Sequence, residues 1–332
     1  MITLYLAVPC YNEEAVLKDT SIKLLKKYNQ LIKEKRISEE SRIVYIDDGS
    51  TDKTWELITE LHRVSPFISG LKMSRNRGHQ NTLLGGLITL KDYADAVISI
   101  DADLQDDINA IDGMLDKYYE GCDIVYGVRK KRDTDTFFKR FTAESFYKIL
   151  KAMGAEVVFN HADFRLMSRR AIEALAEFKE VNLFLRGMVP MVGFKTGVVE
   201  YDRFERTAGE SKYPLAKMLA LAWQGVTSLS VKPIRMIMCL GISIFFVAIL
   251  FGLYSLFSYF FGFTVSGWTS TFVSIWAIGG LQLFAIGVIG EYLGKIYLET
   301  KQRPRFIVEE FINDYTKELN PRGLEKDFYE VK

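Results

Sequence analysis
The chain has 332 residues, is 48% hydrophobic and 26% charged, and carries a formal net charge of +1. That length holds one large or two ordinary domains with ample core, and the near-zero charge excludes a global field that would gather nucleic acid. Cys10, Cys122 and Cys239 lie far apart with no Cys-x-x-Cys pair, which argues against a disulfide framework or zinc knuckle and suits a reducing compartment.

Residues 2–8 are an apolar, β-rich run ending at Pro9, with no basic leader, so no signal peptide is expected. Cys10-Tyr11-Asn12-Glu13-Glu14 follows, and Asn12 is expected to cap a helix over residues 13–30. Residues 42–46 form a second strand ending in Asp47-Asp48-Gly49-Ser50-Thr51-Asp52. Gly49 allows a tight turn, and Thr51 or Asp52 can cap the next helix, through Leu61. Strand, polar turn, helix is the βα unit of an open sheet, whose ligands gather at strand ends.

A third strand over residues 67–73 leads to Ser74-Arg75-Asn76-Arg77-Gly78-His79, then a helix through Leu90. Two arginines and a glycine at a helix start suit an anion; His79 reads as a polar lining residue. The fourth strand, residues 95–100, runs into Asp101-Ala102-Asp103-Leu104-Gln105-Asp106-Asp107. Alternate carboxylates at a strand end can hold a hard divalent cation against substrate phosphates. The plain alternative is a solvated acidic turn.

A helix over residues 107–120, a strand over 123–126 and a basic stretch from Arg129 to Arg140 come next. Residues 137–153 read as helical. Asp163 lies in an apolar run, residues 159–167, where burial requires a partner such as Arg165 or a role at a reaction centre. Residues 197–204 form the last expected strand, followed by a loop with Arg206 and Lys212 suited to closing over a diphosphate. Apolar residues then recur at helical spacing between Pro214 and Pro233, as in a helix lying in a membrane interface.

Residues 236–290 contain no Asp, Glu, Lys or Arg. Segments 236–263 and 265–290 are each long enough to span a hydrocarbon core of roughly 30 Å. Lys232 and Arg235 precede them and Lys295, Lys301, Arg303 and Arg305 follow, so both ends and the N-terminal domain are expected in the cytoplasm. No buried acid or base lies within the spans to mark a transport path. The tail over residues 306–313 is read as a short helix without chemistry.

The ordered set VPCYNEE, DDGSTD, SRN, DADLQD, DFRLM and GESKY resembles the family 2 glycosyltransferases of GT-A fold. With the C-terminal hairpin it is similar to the polyisoprenyl-phosphate branch, which includes bactoprenol glucosyltransferases and dolichyl-phosphate mannose synthase. The resemblance covers residues 2–305. The Gln-x-x-Arg-Trp motif of processive members is absent, so one sugar per turnover is expected.

This resemblance implies an α/β class: a GT-A, Rossmann-like, mostly parallel sheet domain over residues 1–213. An interfacial helix (214–233), a two-helix transmembrane hairpin (234–294) and a cytoplasmic tail (295–332) would follow it. It implies an enzyme of the plasma (inner) membrane, a glycosyltransferase passing one hexose from a nucleotide sugar to polyprenyl (undecaprenyl) phosphate with inversion. UDP-glucose is favoured; UDP-GlcNAc, another UDP-sugar, GDP-mannose and a non-catalytic nucleotide-sugar sensor are the alternatives. Pro9, Tyr11, Glu13, Asp48, Arg75, Asp101, Ala102, Arg206 and Lys212 would bind the nucleotide sugar. Asp101, Asp103 and Gln105 would hold Mg²⁺ or Mn²⁺. Asp163 would sit near the sugar, Arg129 at the acceptor phosphate, assisted by Lys139, Arg140 and Ser145. Asp103, Asp163 and Arg129 form the expected catalytic set. Membrane lipid and further copies of the chain, up to a tetramer, are the remaining implied partners; nucleic acid is not one.

Overall fold
The structure is a computed structural model and describes residues 1–129, 161–202, 227, 231–261 and 267–313. Eight strands form one sheet in the order β7-β5-β6-β4-β1-β2-β3-β8. The strands are β1 (Leu4–Cys10), β2 (Arg42–Asp47), β3 (Ile68–Met73), β4 (Ala96–Ser99), β5 (Ile124–Arg129), β6 (His161–Ser168), β7 (Thr196–Tyr201) and β8 (Val308–Ile312). The block β4-β1-β2-β3 is parallel. β6 and β8 run against their neighbours, and β5 pairs parallel with β7. The sheet is therefore mixed but mostly parallel.

The central strands read as continuous apolar runs because helices cover both faces. Helices α1 (Leu17–Lys33), α2 (Thr54–Val64) and α4 (Ala110–Tyr119) pack on one face around Leu24, Ile58 and Met114. Helices α3 (His79–Leu90), α5 (Arg169–Ala176) and α6 (Leu185–Met191) pack on the other around Leu84, Ile172 and Met188. From β1 the chain steps outward to β2 and β3, then returns across the sheet to β4 on the far side of β1. That reversal makes a topological switch point, with a crevice beyond the carboxyl ends of β1 and β4. Those ends carry residues 9–14 and 101–103.

Three local expectations are corrected. Asn12 does not cap α1, which begins at Leu17 with no side-chain cap. Asn12 sits at φ +55 and its amide oxygen accepts from Thr51 N–H at 2.9 Å. Residues 306–313 do not form a helix: Val308–Ile312 is a strand antiparallel to β3. An exposed sheet edge offers a row of unmet backbone groups, and this short segment, with Val308, Phe311 and Ile312 as its strand-favouring residues, satisfies them. Residues 197–204 are consequently not the last strand, and the seven-residue α6 was not anticipated.

The chain divides into two compact units. One holds the sheet, to which the segment after Pro304 returns. The other holds two long helices, α7 (Lys232–Phe260) and α8 (Trp268–Lys301). Among the described residues one stretch, Ala277–Lys301, has the length and composition to cross a membrane. Large apolar side chains on both helices are exposed, among them Leu250 and Leu283. The expected helix over residues 137–153, the loop carrying Arg206 and Lys212, the interfacial helix of residues 214–233, and Lys139, Arg140 and Ser145 lie outside the described residues, save for Thr227 and residues 231–233.

Candidate functional site
The loops after β1 and β2 form one rim. Asp48 N–H donates to Cys10 O at 2.9 Å, Asn12 N–H to Ser50 Oγ at 3.0 Å, and Glu13 N–H to Thr54 Oγ1 at 2.9 Å. Tyr11 is 46% exposed on this rim, so its ring is available to a flat ligand. Gly49 has φ +65, and a Cβ there would meet the backbone of Arg75 and Asn76 at 2.7 Å. The third loop therefore closes directly on the second.

Asp48 is buried, and its oxygens are taken up by that third loop. They accept from Arg77 N–H at 2.7 Å, Gly78 N–H at 3.0 Å and the Thr82 hydroxyl at 2.5 Å. In this structure the carboxylate fixes the turn that carries Arg75, which is itself exposed.

Asp101 and Asp103 follow β4, and the Thr20 hydroxyl of α1 donates to the intervening Ala102 carbonyl at 2.7 Å. Partial burial pushes the Asp101 carboxyl pKa up, although the side chain keeps accessible surface. His79 opposes the rise, while Asp163, Asp106 and Asp103 add to it. Like charges held together at a partly accessible strand end suit a hard cation. The accessible donors are two carboxylates, Asp101 and Asp103, whereas Gln105 is buried. No group of three His, Cys, Asp or Glu side chains placed to hold a metal ion occurs among the described residues. An oxygen pair of this kind fits Mg²⁺ or Mn²⁺ completed by substrate phosphates, rather than an all-protein cage.

The antiparallel register explains how Asp163 reaches this place. Ser99 pairs with Arg165, and two further residues along each strand bring Asp101 opposite Asp163. The Ser99 hydroxyl donates to the Asp163 carbonyl. Burial alone would raise the Asp163 pKa, but His79, Arg186 and Arg165 outweigh it and hold the carboxyl well below its usual range. A carboxylate held ionised this way is a poor proton acceptor at neutral pH. His79 lies 3.5 Å from Asp163 and 4.0 Å from Asp101, bridging the two acids.

Arg129, at the end of β5, donates from Nε to Asp106 Oδ1 at 3.0 Å, and its Nη2 lies 2.9 Å from the same oxygen. Asp106 is almost wholly buried, so this pair fixes the guanidinium beside the acid cluster. Pro9 lies at the end of β1, and Glu13 and Ala102 on the loops that follow β1 and β4, around the switch point. The structure thus brings Asp101, Asp103 and Asp163 together and sets Asp48 and Arg75 on the neighbouring rim. Two participants were missed or underweighted from sequence. Arg186 gave no local motif at all, and His79 was read only as lining.

The model of the family described as glycosyl transferase family 2 matches residues 5–176. The chain is 50% identical over 330 residues to the uncharacterized glycosyltransferase YkoT of Bacillus subtilis (strain 168), covering 99% of this chain and 97% of that protein. It is 40% identical over 308 residues to the prophage bactoprenol glucosyl transferase homolog of Escherichia coli (strain K12), covering 92% and 97% respectively. A glucosyl-3-phosphoglycerate synthase structure from Mycobacterium tuberculosis aligns with TM-score 0.45 and 15% identity over 69% of this chain and 78% of that one. Family model, full-length relatives and the acid-tipped sheet agree: this chain belongs to the family 2 glycosyltransferases and is a glycosyltransferase.

Proposed function
We propose that the chain transfers one hexose, with inversion, from a nucleotide sugar to polyprenyl phosphate at the cytoplasmic face of a membrane, with UDP-glucose the favoured donor. The observation that carries this reading is 40% identity, across 92% of the chain, to a homolog of bactoprenol glucosyl transferase. The switch-point crevice and its acids supply compatible chemistry.

In this reading the rim of Pro9, Tyr11, Glu13 and Arg75 receives the nucleotide, with Asp48 holding the rim in shape. Asp101 and Asp103 would hold Mg²⁺ or Mn²⁺, which would supply positive charge to the departing diphosphate. Arg206 and Lys212 would add to that charge, and Gln105 would support the acids. A phosphate oxygen of the acceptor attacks the anomeric carbon from the side opposite the diphosphate. A carbon–oxygen bond forms as the one to the nucleoside diphosphate breaks. The acceptor is already an anion at neutral pH, since the second pKa of a phosphate monoester is about 6, so no strong base is required. A depressed pKa at Asp163 is consistent with this. Arg129, with Lys139, Arg140 and Ser145, would position the acceptor phosphate.

In this reading the two long helices form a membrane hairpin, with both ends in the cytoplasm because Lys232, Arg235, Lys295, Lys301, Arg303 and Arg305 flank it. At about 1.5 Å per residue, helices of 29 and 34 residues exceed a hydrocarbon core of roughly 30 Å. Their many exposed apolar side chains would face lipid. Such a hairpin would hold the catalytic unit at the surface where a lipid-linked acceptor resides.

The test is a donor panel. Purified full chain is incubated with undecaprenyl phosphate, Mg²⁺ or Mn²⁺, and UDP-glucose, UDP-GlcNAc or GDP-mannose, and the lipid is examined by mass spectrometry. One hexose added to the lipid phosphate, in an acid-labile linkage, is expected. No sugar-lipid with any donor would refute the proposal.

A further inference from the structure
Asp163 is saturated by partners from three elements. Its Oδ1 accepts from Arg165 Nη2 on β6 at 3.0 Å and from Arg186 Nε on α6 at 3.3 Å. Its Oδ2 accepts from Arg186 Nη2 at 3.1 Å and lies 3.5 Å from His79 Nε2 on α3. A carboxylate offers about four acceptor positions, and these contacts occupy them.

The partners differ in what they can do. Arg165 is 1% exposed, and among the described residues its Nε and Nη1 have no hydrogen-bond partner. Losing Asp163 would leave a buried, uncompensated cation, so Arg165 stays with it. Arg186 and His79 are 38% and 44% exposed, against 15% for Asp163. A ligand entering the crevice therefore meets the guanidinium and the imidazole before it meets the carboxylate. The two are also tied together: Leu185 N–H donates to Gln80 Oε1 at 2.9 Å, joining the start of α6 to the first turn of α3.

Resting on the donor-site reading above, we propose that Arg186, flanked by His79, is the group that touches the hexosyl diphosphate, and that Asp163 is a positioning residue acting through it. A guanidinium oriented by a two-point carboxylate contact presents its outer edge to an oxygen-rich ligand, a hydroxyl of the sugar or an oxygen of the diphosphate. Arg165 anchors the carboxylate from behind.

A double-mutant cycle tests this, with Asp163→Asn, Arg186→Ala and the double variant assayed using whichever donor turns over in the panel. Each single change should lower donor kcat/KM by about 100-fold, and the double variant should be no worse than about the poorer single, because the two act as one unit. Arg186→Lys should recover only part of the loss, since an ammonium cannot keep the two-point contact. KM for the lipid acceptor should stay unchanged in every variant. Losses that multiply to about 10⁴ would mean that Asp163 contacts substrate independently. Unaltered donor kcat/KM in Arg186→Ala, with or without a lower Tm, would overturn the proposal by showing a purely structural residue. Either result, in a chain that otherwise turns over, leaves the donor-site reading standing. An unaltered chain inactive with every donor would overturn both.

Discussion
Two of the strand ends carry acids that look alike in sequence and are opposites in space. After β2, Asp48 has buried oxygens that accept two backbone N–H groups and a hydroxyl. After β4, Asp101 lies among Asp103, Asp106 and Asp163, and its carboxyl is pushed up by lost hydration and like charge. At the first end the Asp48 carboxylate is satisfied by hydrogen bonds from the chain and shapes a loop. At the second end Arg129 pairs with Asp106, and Arg165 and Arg186 with Asp163, while Asp101 stays raised and partly accessible, the kind of place a divalent cation would suit. Catalytic groups are commonly kept in places the fold alone would not favour.

The sharpest way to break this comparison is to remove one acid from each cluster and measure activity and stability together. Asp103→Ala should lower transfer by about 10³-fold or more, the scale expected when charge stabilisation of a leaving group is lost. Metal-free, its Tm should be unchanged or higher, because like-charge repulsion falls. A chelator should silence the unaltered chain to the same extent, and added Mn²⁺ or Mg²⁺ should restore only that chain. Full activity in Asp103→Ala would end the metal assignment.

Asp48→Asn should behave in the reverse order. Its amide nitrogen would face a donor, and the lost or clashing contacts should cost about 1–3 kcal/mol of stability. Donor KM should rise as the residue 74–78 turn loosens, and kcat should fall less. If Asp48→Asn proved as stable as the parent, the assignment of a loop-holding carboxylate would be wrong. Gly49→Ala probes the same joint from the other side, where φ +65 and a Cβ 2.7 Å from Arg75 backbone both resist a side chain. A loss of about 1–3 kcal/mol by chemical denaturation is expected, again with a weaker donor.

Much of this was legible in the sequence, for identifiable reasons. Apolar runs punctuated by polar turns place β1 to β4 and α2 to α4, because burial on both faces and turn chemistry are local properties. The strand-end acids were legible for the same reason. The meeting of Asp101 with Asp163 was not, since it depends on the β4–β6 register between residues far apart in the chain. Arg186 was illegible because it lies on a seven-residue helix with no motif of its own. The tail strand was misread because its partner, the open edge of β3, exists only once the sheet has formed. Asn12 was misread because a capping residue and a loop-bridging residue share the same chemistry.

Asp123 gives the smallest effect and the most discriminating control, because its pKa is depressed as that of Asp163 is, yet nothing places it in the crevice. The Arg170 guanidinium is the largest cause of that depression, and the Ser168 hydroxyl adds to it at 2.9 Å. Ser168 in turn accepts from Ala171 N–H and caps α5, so the carboxylate secures a helix start. A folded-state pKa below the unfolded value of about 3.9 contributes stability above that value, which is lost as pH falls through the folded pKa. Asp123→Asn should therefore lower Tm slightly at pH 7 and flatten its decline below about pH 4. Arg170 is largely exposed, so high salt should narrow the gap between variant and parent. Transfer at neutral pH should be unchanged. If Asp123→Asn instead lowered transfer as Asp163→Asn does, a depressed carboxyl would not need cations facing the crevice to matter for catalysis, and the distinction between the two kinds of acid would fail.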